Sequence, residues 1–141
     1  MTVERNKAAI RRLVDEVFNG RNVGAIDEML APDFVEHEEL PPGLPQGREG
    51  VKALTTMLHT AFPDFKATID DLVAEGDKVT VRMTWRGTHH GDFMGIPPTG
   101  RPVAFGVIDI LRMHDGRLAE HWGIMDQMAL MQQLGVAGGP G

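Results

Sequence analysis

The spacing of apolar residues changes period near residue 65, and that change limits the fold more than any other feature. Ahead of it, Ile10, Leu13, Val14, Val17 and Phe18 recur at steps of three and four, which puts them on one face of a helix. Asn19-Gly20 ends that helix, with a residue tolerant of positive φ expected at the stop. Val23, Ile26, Met29 and Leu30 repeat the pattern as far as Pro32, and Asp33 to His37 reads as a short extended piece. After a loop rich in Pro and Gly, a third helix carries Val51, Leu54, Met57, Leu58 and Phe62 and stops at Pro63. Beyond that point the chain alternates. Ala67 to Ala74 leads into the turn Glu75-Gly76-Asp77. Lys78 to Thr88 then sets Val79, Val81, Met83 and Trp85 against Thr80, Arg82, Thr84 and Arg86. A Gly/Pro-rich loop, His89 to Pro102, separates it from Val103–His114; Asp115-Gly116 turns the chain into Arg117–Asp126, and a short helix follows.

Helices first and an antiparallel meander after predict an α+β fold. A strongly curved, mainly antiparallel sheet wrapped around the N-terminal helices makes a cone-shaped barrel with one open mouth, a natural small-molecule cavity. The 141 residues suit a single domain, read here as 1–135 with a flexible tail, 136–141. With no cysteine, the chain has no disulfide, thiolate metal site or cysteine nucleophile. A net charge of −6 with no basic run argues against nucleic acid as a partner. No export signal or apolar run of about 18–20 residues is present, so no membrane partner and a cytoplasmic location are the expectation.

Asp126 is the foremost candidate for chemistry. If the last strand alternates regularly, Leu118, Glu120, Trp122, Ile124 and Asp126 share one face, and its apolar members mark that face as buried. A buried carboxylate has a raised pKa and suits proton transfer. The other reading is an N-cap for the final helix. His121 is one step out of phase and points away from the cavity, unless a bulge reverses it. His37 and His89 are expected near the mouth, where imidazole could hold a substrate oxygen. His59 and His114 are read as surface residues. Trp122, Trp85, Phe34 and Phe93 are expected to line the pocket, with Trp122 the better placed to stack on a planar ring. The strand residues Arg82, Asp109 and Glu120 are candidates to contact substrate; pairing of Arg82 with Glu120 or Asp109 as a structural ion pair is the alternative. No H-x-x-x-H or H-x-H pair occurs, so no metal site is expected; one built from His37, His89 and Asp126 is the alternative. Val79, Val81, Met83 and Trp85 could pack across a two-fold axis in a homodimer.

Three stretches carry a family resemblance. Phe34-Val35-Glu36-His37, GTHHGDFMGIPPTGRPV from Gly87 to Val103, and RMHDGRLAEHWGIMDQMALMQQLG from Arg112 to Gly135 resemble the SnoaL-like polyketide cyclases, or ester cyclases, of the nuclear transport factor two-like superfamily. The resemblance implies a cone-shaped α+β barrel and a cofactor-free intramolecular aldol ring closure on a hydrophobic polyketide ester. It also implies an acidic side chain near the end of the last strand as general acid and base, matching Asp126, and a His at the positions of His37 and His89. A non-catalytic binder of a hydrophobic molecule, or an isomerase or hydrolase on the same barrel, is the alternative function.

Overall fold

The computed structural model describes residues 2–136. Helix α1 (Val3–Leu13) is capped by Thr2, whose hydroxyl accepts from the Arg5 backbone N–H at 3.1 Å, and widens into a π-helical turn over Val14–Asn19. Gly20 ends this helix with φ −88°, and Arg21 takes the left-handed conformation instead, at φ 60°. Glycine is required there by crowding: a Cβ at Gly20 would sit 2.7 Å from the Glu16 carbonyl oxygen. The positive φ expected at the Asn19-Gly20 stop thus falls one residue later. A 3-10 turn, Val23–Ala25, leads into α2 (Ile26–Met29), then β1 (Leu30–Glu36) and α3 (Gly47–Ala61).

Four long strands follow: β2 (Lys66–Glu75), β3 (Lys78–Thr88), β4 (Pro102–His114) and β5 (Arg117–Met125), before α4 (Gln127–Leu134). The strands form one curved open sheet in the order β1-β5-β4-β3-β2. Neighbours are antiparallel except β1 and β5, which run parallel. The β4–β5 turn takes Asp115 and Gly116 at φ 49° and 80°, the pair of positive values that a tight two-residue hairpin needs. Helix α1 lies against β2 and β3, α3 against β1, and α4 against β4.

Strand β3 obeys the alternation read from its sequence. Val79, Val81, Met83 and Trp85 are buried among Ile10, Val17, Phe62 and Phe105. They belong to the core, so the expected packing of these four across a two-fold axis is corrected: the covering layer is the protein's own helices. Val136, assigned to the flexible tail, packs against the core, and the rest of that tail, 137–141, lies outside the described residues. His59, expected at the surface, is 9 % exposed and bonded to the Phe18 carbonyl at 2.8 Å. No helix among the described residues is long and apolar enough to cross a membrane.

Candidate active site

A single irregularity in the sheet sets the polarity of the cavity. Strand β5 pairs Met113 with Leu118 and Arg112 with Glu120, so Ala119 is an extra residue with no partner on β4. Such a bulge inverts every side chain beyond it. Leu118 still points inward, but from Glu120 onward the inward residues are His121, Gly123 and Met125, while Glu120, Trp122, Ile124 and Asp126 face out. The regular alternation expected for β5 is thereby corrected for its C-terminal half, the half that carries the chemistry.

The concave side of the sheet and the helices enclose a cavity of about 630 Å³. Its wall is mostly apolar: Leu13, Val17 and Phe18 from the first helix and its π turn, Leu54 and Leu58 from α3, and Val107 and Leu111 from β4 contribute. The exposed side chains of Met94 and Met128 stand at its opening.

One side of the wall is ionisable. Glu36 ends β1 directly opposite His121 on the parallel neighbour β5, and Asp109 on β4 pairs with Gly123. His121 donates from Nδ1 to Glu36 and from Nε2 to Asp109 Oδ1, the latter at 2.8 Å. The side chains of Glu36, Asp109 and His121 are only 5 %, 13 % and 15 % exposed, so these contacts act with little solvent screening. Burial alone lowers the pKa of His121, but the hydrogen bonds and negative charge of Asp109 and Glu36 overcome it and push the pKa up to about 10. The ring is therefore an imidazolium at neutral pH, clamped between two carboxylates.

Glu38 completes the group. It lines the same cavity, and burial pushes its carboxyl above the ordinary range; the Asp109 and Glu36 charges add to that, against the pull of His121. Gly123 makes the assembly possible, since a Cβ there would collide with Glu38 Oε1, Asp109 Oδ1 and His121 Cε1. A glycine inside a strand is a sequence signal for close approach of this kind. Glu36, Glu38 and Gly123 are not among the candidates read from the sequence, and His121 faces the cavity through the bulge that was the alternative to regular alternation.

Glu38, Asp109 and His121 bring ligand-type atoms within 4.8 Å of one another. Both ring nitrogens of His121 are engaged by Glu36 and Asp109, so in this arrangement neither is free to face a metal.

The remaining expected residues divide by face. Phe34, Trp85, Phe93 and Asp109 line the cavity. Asp126 is exposed, and its Oδ1 accepts the Ala129 backbone N–H at 3.0 Å as the N-cap of α4. With Trp122 and Arg82 it borders a shallower hollow on the outer face, away from the Glu36–Asp109 cluster. Arg82 pairs there with Asp71 at 2.7 Å, because even-numbered residues of β3 point out, and not with Glu120 or Asp109. Glu120 holds Arg112 at 2.5 Å and His37 at 2.7 Å. His37 is stacked on Trp122, ring centroids 4.6 Å apart and planes 6° from parallel. The bulge carries Glu120 and Trp122 outward, and His37, one residue beyond the inward Glu36, meets them there, so none of the three lines the cavity. His89 is completely buried but serves its own loop: Nδ1 accepts the Thr99 N–H at 3.2 Å, and the His89 backbone bonds Arg101 and Gly100.

The family model of SnoaL-like polyketide cyclases matches residues 8–134. The aklanonic acid methyl ester cyclase DauD of Streptomyces sp. (strain C5) is 30 % identical over 134 residues, covering 89 % of this chain and 79 % of that protein. Among solved structures, TsrD from Streptomyces laurentii superposes with a TM-score of 0.86 at 32 % identity, covering 96 % of this chain and 98 % of TsrD. IdmH from Streptomyces antibioticus gives 0.79 at 39 % identity over 93 % of this chain and 99 % of its own. On the family match across nearly the whole chain, this protein belongs to the SnoaL-like polyketide cyclase family.

Proposed function

We propose that the protein closes a ring on a hydrophobic polyketide methyl ester by an intramolecular aldol reaction, with acid–base chemistry supplied by Asp109 and Glu38 and oriented by His121. The observation that supports this reading is the desolvated Glu36–His121–Asp109 chain on the wall of an otherwise apolar cavity. In such a cavity the substrate rings displace water, and the carbon acid lies against the ionisable wall.

The residues divide the work by their protonation states. His121, held as a cation, cannot accept a proton at neutral pH; its role is to fix Asp109 through Oδ1 and to favour negative charge nearby. The second oxygen of Asp109 takes a proton from a carbon flanked by carbonyl groups. The resulting enolate carbon forms a bond to a second carbonyl carbon of the same molecule, and that carbonyl's π pair moves to its oxygen. Glu38, which retains a proton more readily than a free carboxyl, donates it to the new alkoxide. Passing the proton from Asp109 to Glu38, whose oxygens lie within 4.8 Å, restores the starting state. The net change is an isomerisation: one C–C bond forms, one C–H bond becomes O–H, and no cofactor is consumed.

The name of the relative DauD suggests the assay. Wild-type protein incubated with aklanonic acid methyl ester, or a shorter polyketide ester of that type, is expected to yield an isomer of identical mass with one additional ring. A substrate that binds in the cavity but is recovered unchanged contradicts the enzymatic reading and leaves a binding protein.

The cyclase works as a homodimer joined through the outer sheet face. Ile108, Ile110 and Ile124 are 49 %, 39 % and 76 % exposed on that face, beside Trp122, forming an apolar strip that a second copy covers.

A further inference from the structure

Two turns of this chain share a backbone geometry and differ in the residue placed at the strained position. Asp115 and Gly116 join β4 to β5 at φ 49° and 80°, and Met94 and Gly95 take φ 51° and 85° in the loop between β3 and β4. Phe93 and Ile96 exchange both backbone hydrogen bonds around the second turn, at 3.0 and 2.9 Å, which makes it a miniature hairpin of the same class. The first central position of such a turn favours Asn, Asp or Gly, because an ordinary Cβ crowds the following carbonyl oxygen in the left-handed conformation. Asp115 meets that preference. Met94 does not.

A strained residue persists only where its surroundings fix it, and here they do. Phe93 is buried against Phe62, ring centroids 5.4 Å apart. Asp92 Oδ1 accepts the Gly95 N–H at 3.0 Å, and the Gly91 N–H bonds the Ala61 carbonyl at the end of α3 at 3.1 Å. The side chain presented by this rigid turn is not buried: Met94 is 51 % exposed and lines the opening of the cavity. An apolar chain kept at a position that disfavours it, and left half in water, gains a use when a ligand in the cavity supplies the missing contact. An unbranched thioether suits that task, since it adapts its shape and packs well against aromatic rings.

We infer that Met94 is a specificity-determining residue: it covers part of the mouth, and its thioether chain rests on the portion of a seated ligand nearest the opening. The inference rests on the cyclase reading only in taking the cavity as the ligand site; it does not depend on which carboxylate moves the proton. Met94 acts by apolar contact and takes no part in the proton transfer.

Met94→Asn tests this because stability and binding should change in opposite directions. It supplies the residue that the turn prefers, so Tm of the free protein is expected to rise by roughly 2–5 °C. The same change removes the thioether chain from the mouth. Affinity for N-phenyl-1-naphthylamine, an uncharged aromatic probe that fluoresces in apolar surroundings, should fall roughly 5- to 20-fold. Met94→Leu keeps an apolar chain of similar volume and should bind the probe within about 3-fold of wild type. A second readout uses the wild-type chain with carbon-13 in its methionine methyl groups. The Met94 signal, identified as the one missing from Met94→Asn, should move upfield as the ring currents of the bound probe reach it. Unchanged probe affinity in Met94→Asn, a lower Tm in that variant, or a Met94 signal that the bound probe leaves in place overturns the inference while the cavity reading stands. A wild-type protein that does not bind the probe overturns both.

Discussion

His121 gains its charge from its neighbours, and that charge has a pH signature. Its pKa rises from 6.5 to about 10 on folding, so the folded state holds the proton more tightly than the unfolded chain. A group raised in this way contributes its full stability below pH 6.5, and the contribution disappears as pH climbs through about 10. Nitrogen-15 chemical shifts of the ring should show both nitrogens protonated at pH 8, with loss of the signature only near pH 10. A neutral tautomer at pH 8 contradicts the clamped imidazolium. The same residue shows why the site was only partly legible. Its identity as a titratable group in the EHW stretch was plain, but its direction depended on one residue of register. Asp109 was visible as a charge between two isoleucines, whereas Glu36 and Glu38 acquire meaning only when β1 is laid beside β5, a contact between residues about 85 apart in sequence.

Among the elements, β5 is where local reading and tertiary structure part. The helical periods of α1 and α3 and the alternation of β3 needed only the spacing of apolar residues, and each faces as its pattern indicates. In β5 the apolar Leu118, Trp122 and Ile124 form a convincing regular face, yet Trp122 and Ile124 lie outside. Ala119 is small enough to be absorbed as the extra residue, and nothing in its identity announces a bulge. The strand does contain one readable sign, Gly123. Its missing side chain makes room for Glu38 and Asp109, so Gly123→Ala is expected to displace both carboxylates and lower turnover by at least 10-fold with the fold retained by circular dichroism. Unchanged turnover in a folded Gly123→Ala variant removes the requirement for close approach at that point.

At the scale of the molecule, helices on one face of a sheet leave the other face to be explained. The order helix, helix, meander was enough to expect a curved sheet around N-terminal helices, and that architecture is present. Which sheet face would be free was not evident, since Val79, Val81, Met83 and Trp85 were equally apolar and proved to be core. The free face carries Ile108, Ile110 and Ile124 instead. Sedimentation of the wild-type protein at micromolar concentration should give a dimer, and Ile124→Glu, which places a charge at the centre of the strip, should give a monomer with little loss of thermal stability. A wild-type monomer contradicts the proposed assembly.

The bulge in β5 leaves Asp126 as a helix cap, and in the proposed mechanism proton transfer falls to Asp109. Paired turnover measurements on Asp109→Asn and Asp126→Asn, with the same ring-closing substrate, separate these roles. Loss of a general base typically costs 10²–10⁴-fold, so Asp109→Asn should fall by that amount. Asparagine caps a helix about as well as aspartate, so Asp126→Asn should remain within about 3-fold of wild type. The reverse pattern, with Asp109→Asn active and Asp126→Asn inert, contradicts the account.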